Sequence, residues 1–162
     1  MASLSDPVVR ELLNGRYIAS LGTHNPTGSI HLTAVWYLFE GEHLYVATSS
    51  GTRKARNLRF RPEASLMVDS RDPWASRGVS CAGRVEILTG DRAREWNERI
   101  HRRYMSEVAL ADARVGPVFA AWDDITIQLQ PASVVAWDMR EADRAVFGGA
   151  MSIPGYLLPT ER

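Results

Sequence analysis

The residues best placed to do chemistry lie in one run, Ser49-Ser50-Gly51-Thr52-Arg53-Lys54, which continues as Ala55-Arg56-Asn57-Leu58. Small hydroxyl residues and a glycine separate a strand end at Ala47-Thr48 from a helix start. That arrangement turns backbone N–H groups and the positive end of a helix dipole toward one point, where an anion such as phosphate is held. Arg53 and Lys54 add two full charges in the first turn, where cations face the helix's own positive end. A bound anion relieves that conflict; the plainer reading is a solvated basic helix start. Thr52 reads either as N-cap or as a hydroxyl ligand of the phosphate. The Gly-x-x-x-x-Gly-Lys-Ser/Thr spacing of a P-loop is absent. Of the 19 basic residues, Lys54 is the one lysine. Chance alone can leave one lysine, but an ammonium is a compact point charge and not a substitute for a guanidinium fork.

Other reactive side chains form no comparable group. His24, His31, His43 and His101 show no paired ligand spacing, so no metal ligand is expected. His31 reads as a strand-end histidine, with an approach to a bound ring as the alternative. Cys81 falls in an apolar strand and reads as buried and inert. Ser49, Ser50 and Ser80 lack a Gly-x-Ser-x-Gly elbow. Trp36 and Trp96 read as core, Trp74 as a loop residue suited to lining a pocket, and Asp123-Asp124 as a turn or cap.

The elements that must position this run fit one domain. A chain of 162 residues, 45% hydrophobic, is long enough for one sizeable core. Nineteen basic residues balance nineteen acidic ones, which argues against a nucleic-acid or membrane-surface partner. No stretch approaches the roughly 18 apolar residues of a spanning helix, and the lone cysteine permits no internal disulfide. A cytoplasmic protein is expected.

Asp6-Pro7 predicts a helix start and Asn14-Gly15 its end. Strands are predicted over Arg16 to Thr23, Ser29 to Phe39, His43 to Thr48, Ala64 to Asp69, Gly78 to Leu88, Ile125 to Gln130 and Ser133 to Asp138. In the second, Ile30, Leu32 and Ala34 alternate with Thr33 and Val35, so both faces are expected to be covered. Helices are predicted from Arg53 to Phe60 and from an Asp91 cap to about Glu107, with Glu95 and Arg99 paired at i,i+4. Residues from Met139 onward carry no strong pattern. Seven strands with short helices between them suggest a mainly β, α+β chain, closed or split as a barrel.

The run Leu44 to Leu58, followed by Pro62-Glu63-Ala64-Ser65-Leu66, resembles the pyridoxamine 5′-phosphate oxidase-like superfamily, and the resemblance extends over Tyr17 to Trp137. It implies a split β-barrel of the FMN-binding type in a homodimer, with two cofactor sites between the subunits. By resemblance, residues 1–138 form the barrel domain and 139–162 a tail for which packing on the dimer partner is the expectation. Arg53 and Lys54 would grip the cofactor phosphate, and Thr48 would sit near the ring or ribityl chain. Thr33, Ala34 and Val35 would face the ring. Arg56 and Asn57 match positions near the phosphate in the deazaflavin-using branch, and Ser50, Thr52, Trp74 and Gly78 complete the cofactor-binding set. No catalytic side chain is assigned.

The resemblance departs from true pyridoxamine phosphate oxidases at the C-terminus, where Phe147-Gly148-Gly149-Ala150-Met151 replaces their Trp- and Arg-containing substrate segment. Arginine in place of lysine and abundant alanine resemble proteins of high-GC actinobacteria, which points to the deazaflavin coenzyme F420, with FMN as the alternative. The implied activity is hydride transfer between that cofactor and a small unsaturated molecule. The competing reading is a non-catalytic flavin- or haem-binding protein.

Overall fold

The first helix, α1 (Pro7–Asn14), begins at Asp6-Pro7 as its cap signal predicts and buries Val9, Leu12 and Leu13. Gly15 ends it in extended backbone, not in the left-handed region. A glycine is needed there because a Cβ would lie 2.2 Å from the Tyr17 ring. In this computed structural model, which describes residues 2–70 and 76–158, seven strands then follow: β1 (Ala19–His24), β2 (Ile30–Val35), β3 (Leu38–Glu40), β4 (His43–Thr48), β5 (Glu63–Asp69), β6 (Arg77–Thr89) and β7 (Ile125–Asp138). They form one antiparallel sheet in the order β2-β1-β5-β6-β7-β4-β3. The mainly β expectation holds.

The first strand starts at Ala19 and not at Arg16, and two further strand boundaries differ from the sequence reading. The run Ser29 to Phe39 is not one strand. It breaks at Trp36-Tyr37, where the chain leaves the β2 edge of the sheet for the β3 edge. The break is fixed by side chains: the Tyr37 N–H donates to the Tyr104 hydroxyl (3.4 Å), and the Tyr37 hydroxyl donates to the Gly15 carbonyl (2.9 Å). Conversely, Pro131 does not end a strand. It falls at a bulge in β7, opposite Gly83, where a missing N–H is tolerated. A Cβ on Gly83 would lie 1.9 Å from the Gln130 carbonyl oxygen. Gly83→Ala is therefore expected to cost about 1–3 kcal/mol, as overpacking does, readable as a lower urea midpoint at unchanged m-value.

The helices also outnumber the expectation. Besides α2 (Arg53–Phe60) and α3 (Gly90–Tyr104), the chain forms α4 (Glu107–Ala111), α5 (Gly116–Trp122), α6 (Met139–Phe147) and a 3-10 turn over Ala150–Ser152. Asp91 lies inside the first turn of α3, with Thr89 at the cap position, and the helix stops at Tyr104. Arg99 pairs with Glu40 and lies over the Trp96 ring, so the i,i+4 pair with Glu95 does not form. In the patternless tail, Asp138 caps α6 by accepting from the Arg140 N–H (3.0 Å), and buried Asp143 ties the 3-10 turn to it by accepting from the Met151 N–H (2.9 Å) and the Ser152 hydroxyl (2.6 Å).

The main core fills the sheet's interior with Leu12, Leu21, Tyr37, Leu66, Ile127 and Leu129, all fully buried. A smaller core under α3 contains Tyr45, Leu88, Ala93 and Ile100, with Tyr45 and Trp96 stacked at 3.6 Å. Cys81 is buried as expected, and burial pushes its thiol up to about 11. One sheet face stays open, contrary to the expectation that both faces of the second strand are covered. β2 is an edge strand, and Ile30 and Leu32 are 53% and 69% exposed beside a shallow groove of about 760 Å³. Gly22, Ser65, Met67 and Ala82 continue that groove.

Candidate functional site

The helix α2 starts where its capping chemistry dictates. Thr52 is in extended backbone, its Oγ1 accepts from the Ala55 N–H (3.4 Å), and it donates to the Ser49 carbonyl (2.8 Å). Of its two predicted roles, Thr52 takes the cap. The inner face of α2 buries Ala55, Asn57 and Leu58. Arg53 and Lys54, in the first turn, stand on the outer side, exposed and half-buried respectively. Neither has a hydrogen bond or ion pair among the described residues, and the same holds for their backbone N–H groups. Burial holds the Lys54 ammonium below its ordinary value, with Asp123 opposing that shift.

Lys54 lines a groove of about 650 Å³ that β2, β4, α2 and α5 enclose. Ala34, Val35 and Trp36 form one wall, Thr48 and Thr52 lie toward α2, and Phe119 and Trp122 of α5 close the far side. Trp36 stacks with Tyr104 (5.1 Å) and Phe119 (5.5 Å), which holds its ring in place at the groove wall. Asp123 also lines the groove, and the buried His101 Nε2 lies 2.8 Å from its Oδ2.

The structure thus brings Ala34, Val35, Thr48, Thr52 and Lys54 of the expected set together, with Arg53 beside them on α2. Others have different immediate partners. Asn57 is buried and donates to Thr23 Oγ1 (3.1 Å) and Asn25 Oδ1 (3.0 Å), tying α2 to β1. The Arg56 guanidinium donates to the Gly51 carbonyl (2.5 Å), and Ser50 gives both its N–H and its hydroxyl to Asp124. Thr33 donates to the Ala34 carbonyl (3.4 Å). Gly78 sits at the opposite end of β6, paired with Asp69 and Trp137, and does not line this groove within one chain. Trp74 lies outside the described residues. Phe119, Trp122 and Asp123 were not legible as site residues. Pro117 in the first turn of α5 was the available signal for the helix that carries two of them.

The family model for pyridoxamine 5′-phosphate oxidase matches residues 5–129. The chain belongs to the pyridoxamine 5′-phosphate oxidase-like superfamily. Its fold is the split barrel of that superfamily, and solved structures agree. A conserved hypothetical protein from Mycobacterium tuberculosis is 21% identical, with a TM-score of 0.73 over 98% of this chain and 94% of that one. An F420 reductase is 24% identical, with a TM-score of 0.62 over 78% and 94%. The haem storage protein HutZ from Vibrio cholerae is 18% identical, with a TM-score of 0.61 over 80% and 92%. No curated protein matches the chain in sequence. Within this split barrel, no helix among the described residues is long and apolar enough to cross a membrane. Among the same residues, no three His, Cys, Asp or Glu side chains converge as a metal site.

Proposed function

We propose that this split barrel is an oxidoreductase that binds a flavin-type cofactor, coenzyme F420 or alternatively FMN, in the groove at α2. One observation carries the reading. Two cations, one of them half-buried and held below its ordinary pKa, stand at a helix N-terminus without an acidic hydrogen-bond partner among the described residues. Such a donor set fits a phosphate: two cationic side chains and two unused amides belong to the first turn, at the helix's positive end. The groove beyond offers a ring space along the small side chains of Ala34, Val35 and Thr48, with Trp36 held in place at its wall.

When bound, such a cofactor supplies hydride transfer to or from a small unsaturated molecule, and the protein supplies orientation and dryness. Arg53 and Lys54 hold the phosphate, Thr48 lies where the ring side begins, and Phe119 and Trp122 line the far side of the groove. The open apolar face around Ile30 and Leu32 supports a homodimer in which a second copy covers this surface.

A non-catalytic flavin or haem carrier is the competing reading, and the likeness to a haem storage protein keeps it in view. The absorption spectrum of the purified protein, followed by titration with FMN and F420, tests the proposal. Uptake of either, with hydride transfer to a quinone or enone, is the expected result. Uptake without transfer makes the protein a carrier, and uptake of neither overturns the proposal.

A further inference from the structure

The loop ahead of α2 already contains an anion. Asp124, on the segment leading into β7, accepts from the Ser50 N–H (2.6 Å) and the Ser50 hydroxyl (2.6 Å). Those bonds, with the Arg59 charge nearby, hold its carboxyl below the usual range, so it stays ionised at neutral pH. The remaining loop donors are spent as well. The Gly51 N–H donates to Ser49 Oγ (3.3 Å) and the Thr52 N–H to the Ser49 carbonyl (3.1 Å). Arg59 and Arg56 are turned back onto the Ser50 and Gly51 carbonyls (2.9 and 2.5 Å). The loop therefore does not offer the run of free amides that its composition suggests. What is left for a ligand is the pair Arg53 and Lys54, with their two amides.

We infer that Asp124 is a specificity residue that fills the loop's anion position from within and restricts the site to cofactors with a single phosphoryl group. The inference rests on the phosphate-binding role of Arg53 and Lys54 proposed above. Two cationic side chains and two amides match the oxygens of one phosphoryl group. A diphosphate tail needs further donors, and its second phosphoryl group meets a loop whose amides are occupied and where the Asp124 carboxylate offsets part of the Arg56 and Arg59 charge. The carboxylate's own contribution opposes a second phosphoryl group, most strongly at low salt. The Asp124 N–H donates to the carbonyl of Trp122 in the groove wall (3.2 Å), and its carboxylate faces Ser50 outside the groove lining, so the side chain acts on the ligand through charge and through the donors it removes.

The test compares riboflavin, FMN and FAD binding by flavin fluorescence at low ionic strength, in the wild-type chain and in Asp124→Asn and Asp124→Glu. The wild-type chain is expected to bind FMN at least tenfold tighter than FAD. Asp124→Asn keeps an acceptor for Ser50 but not the charge, and is expected to narrow that preference at least fivefold by strengthening FAD. Asp124→Glu keeps the charge and is expected to hold the preference within about twofold. In the wild-type chain, inorganic pyrophosphate is expected to displace FMN no better than phosphate, a readout that needs no variant to fold. Equal FMN and FAD affinities, stronger displacement by pyrophosphate, or an unchanged preference in Asp124→Asn would each overturn the inference. So would equal shifts in both variants, which indicate loop rigidity alone. If FMN binds no tighter than riboflavin, the phosphate role of Arg53 and Lys54 fails, and the inference falls with it.

Discussion

Replacing Arg53 and Lys54 together by alanine is expected to weaken FMN or F420 binding by roughly 100-fold or more, with the melting temperature unchanged or slightly raised. Charge-assisted hydrogen bonds contribute about 1.5–3 kcal/mol each, so losing two reaches that range. The stability side follows from the sign of the Lys54 shift. Its folded pKa lies below its ordinary value because burial disfavours the ammonium. Folding therefore costs free energy while the lysine is charged, and the cost disappears only as pH rises through the folded pKa. Removing the amine at neutral pH relieves that cost, and Arg53 is exposed. Fluorescence titration and a thermal melt of the same sample check both halves. A fall in melting temperature matching the loss of binding would mean these cations serve the fold instead.

The opposite pattern is expected one turn further along α2. Leu58 is 1% exposed and belongs to the main core. Leu58→Ala removes buried methylene groups from a site that cannot collapse fully, at a cost of about 2–5 kcal/mol. For a chain of this size that corresponds to a fall in melting temperature of roughly 5–15 °C. Below its transition the variant is expected to retain cofactor affinity within a few fold, because the cations lie on the other side of the helix. Urea unfolding gives the first number and titration in the cold the second. A loss of binding at low temperature comparable to that of the double alanine variant would show that α2 does not divide into a packing face and a binding face.

What the sequence revealed depended on how local the physics was. The start of α2 was legible because strand end, small residues, cap and charges are all neighbours in the chain, and the helix runs from Arg53 to Phe60 as expected. The hairpin at Gly41-Glu42 has an equally local cause, since both residues adopt positive φ (55° and 68°). The break at Trp36-Tyr37 was hidden because its cause is non-local: Tyr37 is claimed by α1 and by Tyr104 of α3. The bulge at Pro131 was hidden because proline usually ends a strand, and only the facing Gly83 makes room for it.

At the site the same division applies. Lys54 and Thr48, which line the groove, could be picked out from their own segment. Asn57, by contrast, looked like a phosphate neighbour and proved to be a buried tie to Thr23 and Asn25, more than thirty residues away in sequence. Asp124 read as a turn residue, and its bond to Ser50 spans a separation of 74 residues. Phe119 and Trp122 contribute to the groove only because α5 folds back over Trp36. Alternating polarity could not expose the open face of β2 either, since the pattern Ile30, Leu32, Ala34 looks the same whether the cover is this chain or a second one.

The decisive measurement is a crystal structure of the protein with FMN or F420 bound. The phosphate should lie within about 3 Å of the Arg53 and Lys54 side chains, with the ring extending along Ala34, Val35 and Trp36. A cofactor phosphate seated elsewhere, with both side chains directed into bulk water, would contradict the assignment of this groove.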